Sequence, residues 1–167
     1  MSTHVHDLFN GCRIGDLEAV KAICSLQPES IHKVDARSFT PLIIAVYNNQ
    51  PAVVQLLLQK GARVNDADVS GNTALMGVCF KGYKDIAEML IKAGANVNQT
   101  NTTGSTALIF AATFGQLDIA QLLLNNDADV YLADNRGKTP LDYAALQQND
   151  TMITLLSKYT KQQTGGL

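Results

Sequence analysis

Tryptophan is absent from this 167-residue chain, and histidine, cysteine and proline occur only three, three and four times. Each scarcity excludes something. The cysteines Cys12, Cys24 and Cys79 are odd in number and widely spaced, so they form no disulfide framework and fit reduced thiols in a cytosol. Lys and Arg (13) do not outnumber Asp and Glu (15), leaving a net charge of −2. Phosphate binding requires a cationic excess, so nucleic acid is not an expected partner. No apolar run approaches the ~20 residues that cross a bilayer, so no membrane partner is expected either. Residues 1–19 hold no apolar h-region, so no secretory signal is read there and a cytoplasmic location is expected. The composition, 46% hydrophobic against 17% charged, suffices to bury a core and excludes a disordered or collagen-like chain. The length allows one domain, or two very small ones.

Against these absences stands a strict internal repeat. Thr40-Pro41-Leu42, Thr73-Ala74-Leu75, Thr106-Ala107-Leu108 and Thr139-Pro140-Leu141 follow one another at intervals of 33 residues. Ser38, Gly71, Gly104 and Gly137 lie two positions before each threonine, and Asp35, Asp68, Asn101 and Asp134 lie five before. Downstream, Leu56-Leu57, Met89-Leu90, Leu122-Leu123 and Leu155-Leu156 keep the same phase. Gly61-Ala62-x-Val64-Asn65 and Gly94-Ala95-x-Val97-Asn98 repeat too, followed by the variant Asp127-Ala128-x-Val130-Tyr131.

Each unit reads physically. Threonine caps a helix N-terminus, and proline after it costs nothing at a position whose amide has no helical partner. Leu42, Ala45 and Val46, like Leu108, Ala111 and Ala112, share one face of a short helix. Asn49, Gly82 and Gly115 end it. A second helix follows, expected to bury Val54, Leu57 and Leu58 and to stop at Gly61 or Gly94, residues that tolerate a left-handed turn. Asp127 takes that place in the third unit, since Asp visits the left-handed region more readily than most residues. The polar stretches 65–72, 98–105 and 131–138 are joining loops.

These residues resemble the ankyrin repeat family, whose pattern is D-x-x-G-x-T-P-L-H-x-A-A-x-x-G, a second helix, then G-A-D-V-N. The resemblance covers about 6–158. It implies an all-α solenoid of helix-turn-helix units joined by hairpin loops, forming a single domain over 1–167. The expected units are an N-cap at 6–34, then 35–67, 68–100, 101–133, a C-cap at 134–159, and a loose polar tail at 160–167. Gly15 matches the helix-ending glycine of the degenerate first unit, and Val20 matches Val54 with one residue of slippage. The chain is expected to stand alone rather than to be a fragment. The family's histidine after T-P-L is replaced by Ile43, Met76, Ile109 and Asp142, so cohesion between units should lean on apolar packing. Gly77 sits inside a helix, where it costs ~1 kcal/mol relative to Ala, so either a neighbour approaches closely or the helix is soft.

Motifs that suggest other chemistry fail on their own requirements. Asp66-x-Asp68-x-Ser70-Gly71 begins like a calcium loop, but Gly77 stands where the bidentate Glu is needed. Gly137-Lys138-Thr139 ends like a phosphate loop, yet Leu132 replaces the opening glycine and Pro140 follows. His4 and His6 lack further ligands for a metal site, and His32 stands alone. Cys12 and Cys79 occupy the small-residue position of the first helix and read as packing residues. The sequons at Asn98, Asn101 and Asn149 reflect turn composition. No cofactor, metal or catalytic constellation is read, so no enzyme is expected.

The family resemblance implies a binding face made of first helices and hairpin tips. The tip positions are Ala36, Arg37 and Phe39; Val69, Ser70 and Asn72; Thr102, Thr103 and Ser105; Asn135, Arg136 and Lys138. The outer helix ends add Tyr47 and Asn48, Phe80 and Lys81, Thr113 and Phe114, Leu146 and Gln147. Among them Phe39, Tyr47, Phe80 and Phe114 are the expected aromatic anchors, flanked by Arg and Lys as interface hot spots commonly are, although aromatics here can also fold down over a thin core. Phe110 and Tyr143, four residues after their threonines, are assigned to the core. The basic tips Arg37, Arg136 and Lys138 suit an acidic partner segment. The expected function is a non-catalytic module that, as a monomer, binds an unidentified partner protein as regulator, scaffold or inhibitor. The alternatives are an accessory protein that stabilises or protects a partner enzyme in the same cell and, from a different class, an enzyme or ligand carrier.

Overall fold

A computed structural model describes residues 3–164, with side chains for 8–160. Among the described residues ten helices follow one another: α1 (Thr3–Ile14), α2 (Leu17–Leu26), α3 (Pro41–Tyr47), α4 (Pro51–Gln59), α5 (Ala74–Lys81), α6 (Lys84–Lys92), α7 (Ala107–Thr113), α8 (Leu117–Leu124), α9 (Pro140–Leu146) and α10 (Asp150–Thr164). A 3-10 turn at Pro28–His32 joins α2 to the first hairpin. Among the described residues no strand forms, and one isolated antiparallel bridge links Ala67 with Thr73. The fold is all-α, an α-helical repeat solenoid, as expected.

Each odd-numbered helix packs against the even-numbered helix after it, and also against its odd-numbered neighbours, two for α3, α5 and α7 and one for the terminal α1 and α9. The result is two layers, α1-α3-α5-α7-α9 and α2-α4-α6-α8-α10. The first layer starts where the repeat predicts. The hydroxyls of Thr40, Thr73, Thr106 and Thr139 accept the amide hydrogens of Ile43, Met76, Ile109 and Asp142 at 3.1, 3.3, 3.2 and 3.3 Å. Each cap is worth ~1 kcal/mol. At Asp142 the cap becomes reciprocal, because its carboxylate accepts from both the amide and the hydroxyl of Thr139 at 2.8 Å.

Two expectations change in detail. A single apolar stripe was expected on α3, yet all of Pro41–Val46 is buried, as is Ala74–Cys79 on α5. A first helix with neighbours on three sides has almost no solvent face. The residues in the family histidine's place, Ile43, Met76 and Ile109, are among those buried. On α4 the buried set is Val53, Val54 and Leu57, with Leu58 only partly covered. The same three places recur as Ile86, Ala87 and Leu90, then Ile119, Ala120 and Leu123. Val53 and Leu57 are one turn apart and point at the first layer, whereas Leu58 lies past the edge of that face.

Cohesion between units is not apolar alone. Asn65 Oδ1 accepts from the Asn96 amide at 2.8 Å, and Asn65 Nδ2 donates to the Gly94 carbonyl at 3.4 Å. One unit later, Asn98 Oδ1 accepts from the Asp129 amide at 2.8 Å and Asn98 Nδ2 donates to the Asp127 carbonyl at 3.1 Å. The terminal asparagine of each G-A-x-V-N run thus reaches the helix-ending turn of the next unit. Where Tyr131 replaces it, the phenol donates to the Thr160 carbonyl at 2.8 Å. Tyr159 also donates to Asn125 Oδ1 at 2.9 Å and accepts from Gln121 Nε2 at 2.8 Å. These bonds hold α10 against α8, and the helix passes Tyr159 to end at Thr164; residues 165–167 lie outside the described set.

Gly77 is explained by a close neighbour. A Cβ there would lie 3.3 Å from Cε2 and Cζ of Tyr47, so the absent methyl makes room for that ring on α5. Asp127 takes the left-handed turn expected of it, at φ 63°. At Gly71, also left-handed at φ 76°, a Cβ would come within 3.0 Å of the Asn101 and Thr102 backbone, so the next hairpin's approach itself requires glycine.

Two stability measurements check this packing. Gly77→Leu should cost ~1–3 kcal/mol in urea unfolding by overpacking, and combining it with Tyr47→Ala should give a smaller loss than the sum of the two single changes. Asn98→Ala, which deletes two bonds between units, should cost ~1–2 kcal/mol while leaving the helical circular dichroism spectrum intact.

Candidate functional site

The hairpins that carry the expected tip residues are built by one device. Asp35, Asp68, Asn101 and Asp134 each accept two amide hydrogens from the far side of their own turn. Asp35 does so from Arg37 and Phe39, at 2.8 and 2.9 Å. Successive hairpins are then laced together, Val69 donating to the Arg37 carbonyl, Thr102 to Ser70 and Asn135 to Thr103, at 3.3, 3.0 and 2.9 Å. Backbone that would be mobile as isolated loops is thereby held as a rigid comb beside the first-helix layer.

The expected residues divide on this comb. Arg37, Val69, Thr103 and Arg136 are exposed, Val69 to 67%. Phe39, Asn72 and Lys138 are half-buried and Ser105 is buried. Asn72 is committed to the fold, since its carbonyl accepts from Asn101 Nδ2 at 2.9 Å. The hydroxyl of Thr103 donates to Asn101 Oδ1, and that of Thr113, half-buried on α7, donates to the Ile109 carbonyl at 2.7 Å. Lys81 is exposed, with its ammonium 5.7 Å from the centre of the Phe80 ring.

The four aromatic anchors form two groups. Phe39 and Tyr47 stack on each other, 5.8 Å between centroids and 20° between planes, and both are half-buried. Burial, with Asp68 nearby, pushes the Tyr47 phenol above its ordinary value. Phe80 and Phe114 instead meet edge to face at 4.8 Å and remain 45% and 43% exposed. Exposed aromatic surface held in a fixed geometry is available to a partner at low entropic cost. Leu146, at the equivalent helix end one unit on, is 59% exposed.

Sequence reasoning missed two contributors, Phe110 and Tyr143. Both are half-buried rather than core, and both line clefts on this face. Phe110 stacks on Phe114 at 6.3 Å and 24°. Its i, i+4 spacing from Phe114 is the signal that could have found it. A cleft of 190 Å³ is lined by Ser105, Ile109, Phe110, Thr113, Phe114 and Tyr143. A second, of 360 Å³, lies among Thr102, Thr103, Ser105, Asp134, Asn135, Arg136 and Tyr143. They share Ser105 and Tyr143 and so adjoin. The Tyr143 hydroxyl donates to Asp134 at 2.5 Å; this bond first, then the amides of Lys138 and Arg136, holds the Asp134 carboxyl below its ordinary range. The same bond raises the Tyr143 phenol.

Other chemistry has little support on this scaffold. Burial pushes the Cys12 thiol up to about 12 and raises Cys24 and Cys79 as well, so none is poised as a thiolate nucleophile. Asp68 serves its turn by accepting from Ser70 and Asn72. Among the described residues no group of three or more His, Cys, Asp and Glu could hold a metal ion. The side chains of His4 and His6 lie outside the described residues. Among the described residues no helix is long and apolar enough to cross a membrane. A cleft of 480 Å³ between α8 and α10 lies in the other layer, away from the aromatic row.

Comparison with known proteins bears on this architecture. The family model described as ankyrin repeats (3 copies) matches residues 8–101 and again 78–164. The chain is 38% identical over 71 residues to ankyrin repeat and SAM domain-containing protein 6 of Rattus norvegicus, which is 42% of this chain and 8% of that protein. The Mus musculus protein of the same name is 35% identical over 71 residues, with the same shares covered. BTB/POZ domain-containing protein 3 of Schizosaccharomyces pombe is 34% identical over 71 residues, 42% of this chain and 14% of that protein. The match therefore spans a small part of each relative's length. With its repeat phase, its two helical layers and a family match over nearly its whole length, the chain belongs to the ankyrin repeat family.

Proposed function

We propose that this chain is a non-catalytic interaction module that docks a partner protein on the aromatic row of its first-helix layer and on its hairpin tips. Ankyrin repeats are in general protein–protein interaction modules. The finer assignment to this face rests on one observation, the exposed edge-to-face pair of Phe80 and Phe114 with Lys81 against it. A folded chain without a partner has little reason to leave two adjoining phenylalanines nearly half in water. Arg37, Val69, Thr103, Arg136 and Lys138 border the row, and the more buried Phe39, Tyr47, Asn72, Ser105 and Thr113 complete the face. The five units of the expected register act as one domain, and the role is that of a regulator, scaffold or inhibitor in the cytoplasm. The partner supplies any catalysis.

The reading is tested by capture from native lysate with wild type and with Phe80→Ser/Phe114→Ser, both checked for helical circular dichroism. Tyr47 is left intact because it packs on Gly77. A protein held by wild type should be lost by the folded double variant, as removal of central hot-spot aromatics costs ~2 kcal/mol or more each. Equal capture by both would move the binding surface elsewhere.

A further inference from the structure

Building on that docking reading, we infer that the paired clefts, one beside α7 and α9 and the other between the hairpins that precede them, take an acidic partner segment, seating a bulky apolar side chain on Phe110 and Phe114 and a carboxylate on Arg136. The two clefts adjoin through Ser105 and Tyr143 but differ in chemistry. The smaller is walled mainly by Ile109, Phe110 and Phe114, with Ser105, Thr113 and Tyr143 at its edges, so it rewards apolar burial. The larger is lined by Thr102, Thr103, Ser105, Asn135 and Tyr143 together with two charged residues, Asp134 and Arg136. One chain crossing both must be apolar at one end and polar at the other.

The sign of the polar end follows from how the nearby charges are used. Asp134 is buried, and its oxygens are occupied by the amides of Arg136 and Lys138 and the hydroxyl of Tyr143. Asp142 is exposed, but one of its oxygens accepts from both the amide and the hydroxyl of Thr139. Asn135 Nδ2 and the Thr102 hydroxyl are likewise committed, to the carbonyls of Thr102 and Ser70. The one carboxylate in the cleft lining, Asp134, thus faces inward onto donors of the fold, whereas Arg136, in the same lining, is exposed. A guanidinium offers paired donors matched to a carboxylate. Lys81 beyond Phe80 continues the cationic border on the other flank of the aromatic pair. A basic segment would meet the same cations with the cleft's own carboxylate, Asp134, already engaged.

A set of fluorescent ten-residue peptides tests this, each with one Phe or Leu and one Glu placed one to four residues away, beside matched Gln and Lys series. Anisotropy titrations use the full chain as wild type, Arg136→Gln and Phe114→Ser, each checked for helical content. The expected result is ~tenfold tighter binding of the best Glu peptide than of its Lys counterpart, a preference that weakens with salt. Arg136→Gln should bring the Glu and Gln series together, and Phe114→Ser should weaken every series. Equal binding of Glu and Lys peptides, a Glu preference that survives Arg136→Gln, or no binding by any series would overturn the inference. If peptides of every charge bind and all are lost with Phe114→Ser, the acidic assignment fails while the docking face stands. Binding indifferent to Phe114→Ser would count against both.

Discussion

A pair of short helices cannot bury its own apolar surface, and everything else in this molecule follows from that shortage. Helices α3, α5, α7 and α9 are seven or eight residues long, too short to persist alone in water. They persist because α3, α5 and α7 are each walled in by the first helices before and after and by their own second helix, while the terminal α9 leans on α7 and α10. Ile43, Met76 and Ile109 show the consequence, since all three are buried although the family pattern has a polar residue there. Apolar side chains here supply cohesion that the family pattern assigns in part to a histidine. The asparagines at 65 and 98 then add directed bonds that set the spacing of one unit against the next.

The same stacking makes the candidate site. Because the units are in phase, first-helix ends and hairpin tips of successive units line up, so residues about one repeat apart become neighbours. Phe80 meets Phe114, and Tyr47 lies across Gly77, only because adjacent first helices are in contact. The hairpin comb is held by carboxylates and asparagine carbonyls that accept their own turn's amides, which leaves the cationic side chains outward. A surface of this kind is pre-organised: the fold, not the partner, bears the entropic cost of ordering it. The aromatic surface and the cationic side chains that border it are therefore products of one constraint.

Much of this was legible in the sequence, and some of it was not. The threonine caps, the left-handed turn at Asp127 and the all-helical class follow from local chemistry at known offsets, so a periodic sequence displays them directly. The burial of Val53 in place of Leu58 could not be read the same way, because both lie on the apolar side of α4 and only the angle between layers separates them. Gly77 posed a choice between a soft helix and a close neighbour, and the neighbour, Tyr47, sits 30 residues away in sequence. Phe110 and Tyr143 look like core residues by position, yet they stand at the rim of the layer, where a cleft opens beside them.

The sequence by itself determined the repeat, its phase, the helix boundaries set by caps and turns, and the family, because each depends on residues close together in the chain. Only the tertiary structure decided which aromatics remain exposed, which carboxylates are consumed within turns, and which side chains share a cleft. Those outcomes depend on the rotation and spacing between stacked units, which arise from side-chain packing across residues a full repeat apart and carry no local signature.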